Sequence, residues 1–98
     1  MSLDLYFELG PFFNHNLNIS FEDLSKIGHH CMIYININGK KYTIKNKKDT
    51  RWSIIYVLEN KLKIIVSVIY DNNKKPLGNI YFENLSNKML KMKNIVFE

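Results

Sequence analysis

Residues 33–45, IYININGKKYTIK, are two alternating apolar and polar runs joined by Asn38-Gly39. Asn-Gly readily supplies the positive φ angles of a two-residue hairpin turn, and alternation of period two belongs to strands. In that geometry Ile33, Ile35, Ile37, Tyr42 and Ile44 face a core. Lys41, Thr43 and Lys45 then share the opposite face with Tyr34 and Asn36. A hairpin with one apolar side and one lysine- and tyrosine-bearing side predicts a β-domain that meets something anionic.

The same period recurs along the chain. Leu3, Leu5, Phe7 and Leu9 alternate with Asp4, Tyr6 and Glu8, and Gly10-Pro11 ends that run. Leu17, Ile19 and Phe21 predict a second strand, and residues 23–28 a loop or one short helical turn. Residues 46–51 read as a polar, charged connection. Residues 52–58 are a continuous apolar run expected at a central position with both faces covered, and Trp52 is expected to anchor the core.

Asn60 reads as a turn residue. Residues 62–70 give the clearest strand, with Leu62, Ile64, Val66, Val68 and Tyr70 on one side and Lys63, Ile65, Ser67 and Ile69 on the other. DNNKKP, residues 71–76, is rich in turn formers, and residues 77–82 resume the strand pattern. Residues 86–93 are polar, with Met89 and Met92 at helical spacing, and residues 94–97 form a last short strand. The fold class expected is all-β: one domain, an antiparallel β-sandwich of about eight short strands.

Composition narrows function mainly by exclusion. Ninety-eight residues suffice for a single modest core. Ala and Gln are absent while Asn, Lys and Ile each occur thirteen times, a bias that reads as AT-rich coding. Fourteen Lys and Arg against nine Asp and Glu give a net charge of +5, which favours anionic partners: acidic phospholipid, an acidic protein or nucleic acid. The single cysteine, Cys31, allows no internal disulfide, and the absence of a leader-like or spanning apolar segment predicts an intracellular protein, cytoplasmic or peripheral to a membrane.

Residues 29–85 resemble the C2 domain, the calcium- and phospholipid-binding β-sandwich family. The segments that carry the likeness are HHCMIYININGKKYTIK, KKDTRWSIIYVL, KLKIIVSVIYDNNKK and PLGNIYFENL, in that order. They are similar to the family's strand ending in GKKxxTK, its Thr-containing lead into an aromatic strand, its LxIxVxDxD and its LGxxxIxL. Where the family places a first-loop aspartate this chain has His30-Cys31-Met32. In the second loop only Asp71 matches, beside Asn72, Asn73 and Lys74. Calcium requires six to eight hard oxygens, so the resemblance implies a calcium-independent member with no metal or cofactor. It implies docking through lysines matching the GKK portion and its continuation: Lys40, Lys41, Lys45, Lys47 and Lys48.

Chemistry-bearing clusters are sparse. His29, His30 and Cys31 are adjacent, which is poor spacing for a metal, and His15 is the one other imidazole. No Gly-x-Ser-x-Gly elbow or glycine-rich phosphate loop occurs, no pair of carboxylates is set up as acid and base, and no enzyme activity is expected. Two rivals to lipid docking remain open. Tyr6, Tyr34 and Tyr81, on outward faces near Lys41, Lys45 and Arg51, suit single-stranded nucleic acid. Outward Ile55, Val57, Ile65 and Ile69, with Tyr34, suit a scaffold interface or a homo-oligomer.

Overall fold

The computed structural model describes residues 1–27 and 32–98. The element order is β1 (Ser2–Leu9), β2 (Asn14–Ile19), α1 (Phe21–Ile27), β3 (Met32–Ile37), β4 (Lys40–Asp49), β5 (Ser53–Leu58), β6 (Leu62–Tyr70), β7 (Pro76–Asn84) and β8 (Leu90–Phe97). All pairings are antiparallel and the strands lie in the order β1-β8-β3-β4-β5-β6-β7-β2. The two outermost strands, β1 and β2, are consecutive in sequence and joined by one tight turn, so the sheet curls until its edges nearly meet.

Alternation decides which side chains fill the interior. Ile33, Ile35, Ile37, Ile44, Ile54, Tyr56, Leu62, Ile64, Val66, Ile80 and Phe82 are all buried. Each such side chain contributes roughly 1.5–3 kcal/mol through removal from water. Phe7 sits edge-on to Phe82 with ring centroids 5.0 Å apart and tilts against His15 at 5.1 Å, filling the seam between β1 and β2. Tyr56 meets Phe97 edge-on at 6.3 Å. The Asn38-Gly39 hairpin forms as expected, with φ of 53° and 83°, and Asn60 takes its turn with φ of 52°.

Local departures from the sequence reading have identifiable causes. Residues 46–49 continue β4 rather than forming a connection, because β5 pairs with them: Asn46 lies opposite Tyr56, Lys48 opposite Ile55 and Asp49 opposite Ile54. β8 begins at Leu90, before the expected residue 94. A bulge near Asn94 (φ 55°) shifts its phase, so Leu90, Met92, Ile95 and Phe97 all reach the interior at spacings no single period fits. Phe21 leaves β2 for α1 because Ser20 caps that helix: its Oγ accepts from the Asp23 N–H at 3.1 Å. Trp52 is 56% exposed and anchors no core. It sits outside the strand in the β4–β5 turn, stacked with Arg51 at 4.8 Å.

The ends of the sheet differ. At one, α1 packs Leu24 and Ile27 into the core beside β6 and β7. At the other, the β1–β2, β3–β4, β5–β6 and β7–β8 connections converge into a rim. Asn38 Nδ2 donates to the Met89 carbonyl and its Oδ1 accepts from the Lys91 N–H. Leu85 N–H donates to the Lys61 carbonyl, and Asn84 N–H to that of Phe13. These bonds lock the four connections to one another.

Candidate anion-binding surface

The period-two geometry of β4 distributes the five hairpin lysines over different surfaces. Lys41 and Lys45 face outward, opposite Asn36 and Met32 on β3. Lys48 is outward beside Ile55, and Lys47 falls at the register shift between Asn46 and Lys48. Lys40, at the start of the strand, belongs to the rim.

On the outer face of β1, β8, β3 and β4 the cross-strand register builds a row Tyr6, Lys93, Asn36, Lys41. A neighbouring row runs Ser2, Val96, Tyr34, Thr43. Tyr34, Asn36, Lys41 and Thr43 of these rows, with Asn94, bound a shallow depression of about 350 Å³. Lys93 had no place in the sequence reading of this face. Its strand lies between β1 and β3 only through a pairing more than fifty residues distant in sequence.

A second outward row runs Lys48, Ile55, Ile65, Tyr81, Asn16 across five strands. Ile55 and Ile65 are half-buried by one another and by their neighbours. Desolvation first, and then Glu83, hold the Tyr81 hydroxyl above the usual tyrosine range. Tyr6 is also raised, chiefly because its hydroxyl donates to the Glu8 carboxylate at 3.0 Å.

The rim carries positive charge in a defined geometry. Ile37, Asn38, Lys40, Tyr42, Lys61 and Lys88, with the β7–β8 loop, line a hollow of about 560 Å³. Lys61 Nζ donates a 2.9 Å hydrogen bond to the Tyr42 hydroxyl and lies 4.8 Å from the ring centroid. Lys40 Nζ lies 5.4 Å from the same centroid. The Lys61 hydrogen bond is the main cause holding the Tyr42 hydroxyl below its ordinary pKa. Among the described residues the one ion pair is Lys26 with Asp23, 3.8 Å apart, so the rim lysines have no carboxylate partner there.

Beside this hollow the rim displays apolar side chains that sequence alternation did not single out. Phe12 and Phe13 are 65% and 68% exposed, and Met89 is also exposed. Phe13 N–H closes the β1–β2 turn on the Gly10 carbonyl at 3.1 Å, with Pro11 second and Phe12 third at a φ of 60°. That third position ordinarily belongs to Gly or Asn, and a bulky residue there is strained.

Among the described residues no three His, Cys, Asp or Glu side chains gather as a metal site. Asp71 organises its own turn, accepting from the Asn73 and Lys75 N–H groups at 2.8 and 2.9 Å. His29, His30 and Cys31 lie outside the described residues. No described helix is long and apolar enough to cross a membrane. No protein family, curated protein or solved structure matches the chain.

Proposed function

We propose that this chain is a non-catalytic, calcium-independent docking module that settles on an acidic phospholipid surface by its rim. One observation carries the reading: Phe12 and Phe13 project from the same end of the sheet as Lys40, Lys61 and Lys88. Lysines near an anionic leaflet supply on the order of 1 kcal/mol each. An inserted phenylalanine adds roughly 1.5–3 kcal/mol if fully removed from water. Neither contribution alone holds a small protein at a membrane, and a rim with both combines two anchoring signals. Lys41, Lys45, Lys47 and Lys48 flank this end or lie further down the sheet, where they add long-range attraction.

We further read the nearly closed sheet as the two-layered sandwich of a C2-like domain. β4 supports the layering: its first six residues pair with β3 and its later ones with β5, on either side of a register shift. The C2 likeness itself rests on the order of sequence motifs.

Co-sedimentation at low salt, with phosphatidylcholine vesicles containing or lacking phosphatidylserine, tests the docking. The wild-type chain is expected to pellet only with the anionic vesicles. Phe12→Ser with Phe13→Ser, or Lys40→Glu with Lys88→Glu, should release it. Lys41→Glu with Lys45→Glu and Lys48→Glu should weaken binding less. Wild type remaining in the supernatant with anionic vesicles at low salt sinks the proposal.

A second reading has its own observation, the Tyr6, Lys93, Asn36, Lys41 row on the outer face with Tyr34 in the row beside it. Aromatic rings interleaved with lysines suit single-stranded nucleic acid, whose bases stack while its phosphates meet the ammonium groups. Oligonucleotide anisotropy that falls steeply with salt, and is lost in Tyr34→Ala with Lys93→Ala, supports it. Retention of the signal in that double variant rules out this face.

A further inference from the structure

We infer that the rim hollow is a recognition site for a phosphomonoester, gripped by Lys40, Lys61 and Lys88 with the Tyr42 hydroxyl. The inference rests on the rim being the docking end and names the group it selects. Lys40, Lys61 and Lys88 all line one hollow, and the ammonium groups of Lys61 and Lys40 lie over a single tyrosine ring, at 4.8 and 5.4 Å. Glu59 is the one carboxylate among the described residues lining it, and it makes no ion pair with any of the three. Like charges held this close repel unless an anion sits among them, so the arrangement favours a ligand of more than one negative charge.

Phosphate chemistry separates the possible ligands. A phosphomonoester carries roughly −1.5 to −2 at neutral pH, with three terminal acceptor oxygens. A phosphodiester carries one charge and only two such oxygens. The first matches three ammonium donors and a hydroxyl; the second leaves cations uncompensated. The volume also fits. About 560 Å³ lies within the roughly 300–1,000 Å³ of small-molecule sites, leaving space for a sugar or polyol beside the phosphate.

Preorganisation supports the site as well. Tyr42 is rooted in β4 beside buried Ile44, and its hydroxyl fixes the Lys61 ammonium at 2.9 Å. The loops carrying Lys61 and Lys88 are tied by the bond from Leu85 N–H to the Lys61 carbonyl, and by Asn84 Nδ2 to the Lys88 carbonyl at 2.7 Å. Ile37 and Leu90, both buried, form an apolar floor that cannot compete for the ammonium groups. Fixed donors lose less freedom when the anion arrives.

The test has a vesicle arm and a soluble arm. Vesicles of phosphatidylcholine with phosphatidic acid, a phosphomonoester, are compared with vesicles carrying phosphatidylserine, a phosphodiester, at matched surface potential. Phosphatidic acid is expected to bind about tenfold more tightly, the weight of one charge-assisted hydrogen bond. Tyr42→Phe, which keeps the ring and every lysine, should remove that preference while leaving the common, charge-driven binding; Lys61→Gln should remove it too, while weakening binding to both kinds of vesicle. Equal binding to both vesicles removes a lipid headgroup as the ligand and leaves rim docking intact, and together with no saturable rim shifts in the soluble arm it overturns the phosphomonoester site; binding to neither overturns docking itself.

In the soluble arm glycerol 3-phosphate is titrated into isotope-labelled protein. Saturable amide shifts confined to Asn60, Lys61 and residues 86–88 are expected. Shifts spread over all surface lysines overturn the site. Shifts at the rim without any preference among vesicles assign it to a soluble ester rather than a headgroup.

Discussion

The side-chain amide of Asn84, 1% exposed, donates a 3.0 Å hydrogen bond to the Leu9 carbonyl, bridging β7 and β1 across the seam of the sheet. The same nitrogen reaches the Gly10 and Lys88 carbonyls, while Oδ1 accepts from the Ser86 N–H and hydroxyl. One buried side chain therefore ties the end of β1, the β1–β2 turn and the β7–β8 loop to one another. Asn84→Leu fills similar volume and removes all of these bonds. Its urea midpoint should fall by the equivalent of about 3 kcal/mol, the upper end for buried polar groups left unpaired. An unchanged midpoint would show that the seam closes without it.

Gly78 is fixed by close approach rather than by backbone angle. A methyl group there would lie 2.5 Å from Ile19 Cγ1 and 2.9 Å from Leu24 Cβ. The Leu24 atom is attached directly to the helix backbone, so α1 itself must move. Gly78→Ala should destabilise by about 1–3 kcal/mol, as overpacking does, and lower the melting temperature.

Ile64 and Ile65 are sequence neighbours on opposite faces, one fully buried and the other half-buried outside. Ile64→Glu places a carboxylate in the core and should abolish the cooperative thermal transition. Ile65→Glu should retain the wild-type circular dichroism spectrum and melt within a few degrees. If light scattering shows wild type associating and Ile65→Glu monomeric, the Ile55–Ile65 strip is an interface.

Tyrosine titration should be ordered by local charge. Tyr42 ionises early because the Lys61 ammonium stabilises the phenolate, whereas Tyr6, bonded to Glu8, and Tyr81, desolvated and next to Glu83, ionise late. In an alkaline absorbance titration Lys61→Met should remove the early component. The curve of Glu8→Gln should shift the other way, bringing the Tyr6 component earlier.

Phe12 displays an aromatic ring from a left-handed backbone position, which costs a non-glycine residue about 1–2 kcal/mol. Asn tolerates that conformation. Phe12→Asn should therefore melt higher than wild type while binding anionic vesicles more weakly. A variant that gains no stability removes the strain argument, and one that binds undiminished removes Phe12 from the docking surface.

The legible parts of this protein were those encoded within a few residues of each other. Alternation in β1, β3 and β6 assigned their inward faces, and Asn38-Gly39 announced its turn. The phase of β8 was hidden because its bulge breaks the repeat. Trp52 was misplaced because an apolar residue beside an apolar strand looks like part of it. The hairpin lysines were visible as a run, but their strand sends neighbours to different surfaces.

Local pattern was enough to dictate an all-β chain with eight strands and a basic surface, since period-two alternation and turn chemistry act between near neighbours. Tertiary structure alone placed Lys93 in one row with Lys41, brought Lys40 and Lys61 to Tyr42 with Lys88 on the same hollow, and set Phe12 and Phe13 at the same end. Those juxtapositions arise from which distant strands pair and how the sheet closes. Burial of the whole apolar interior selects that arrangement collectively, and no short segment records it.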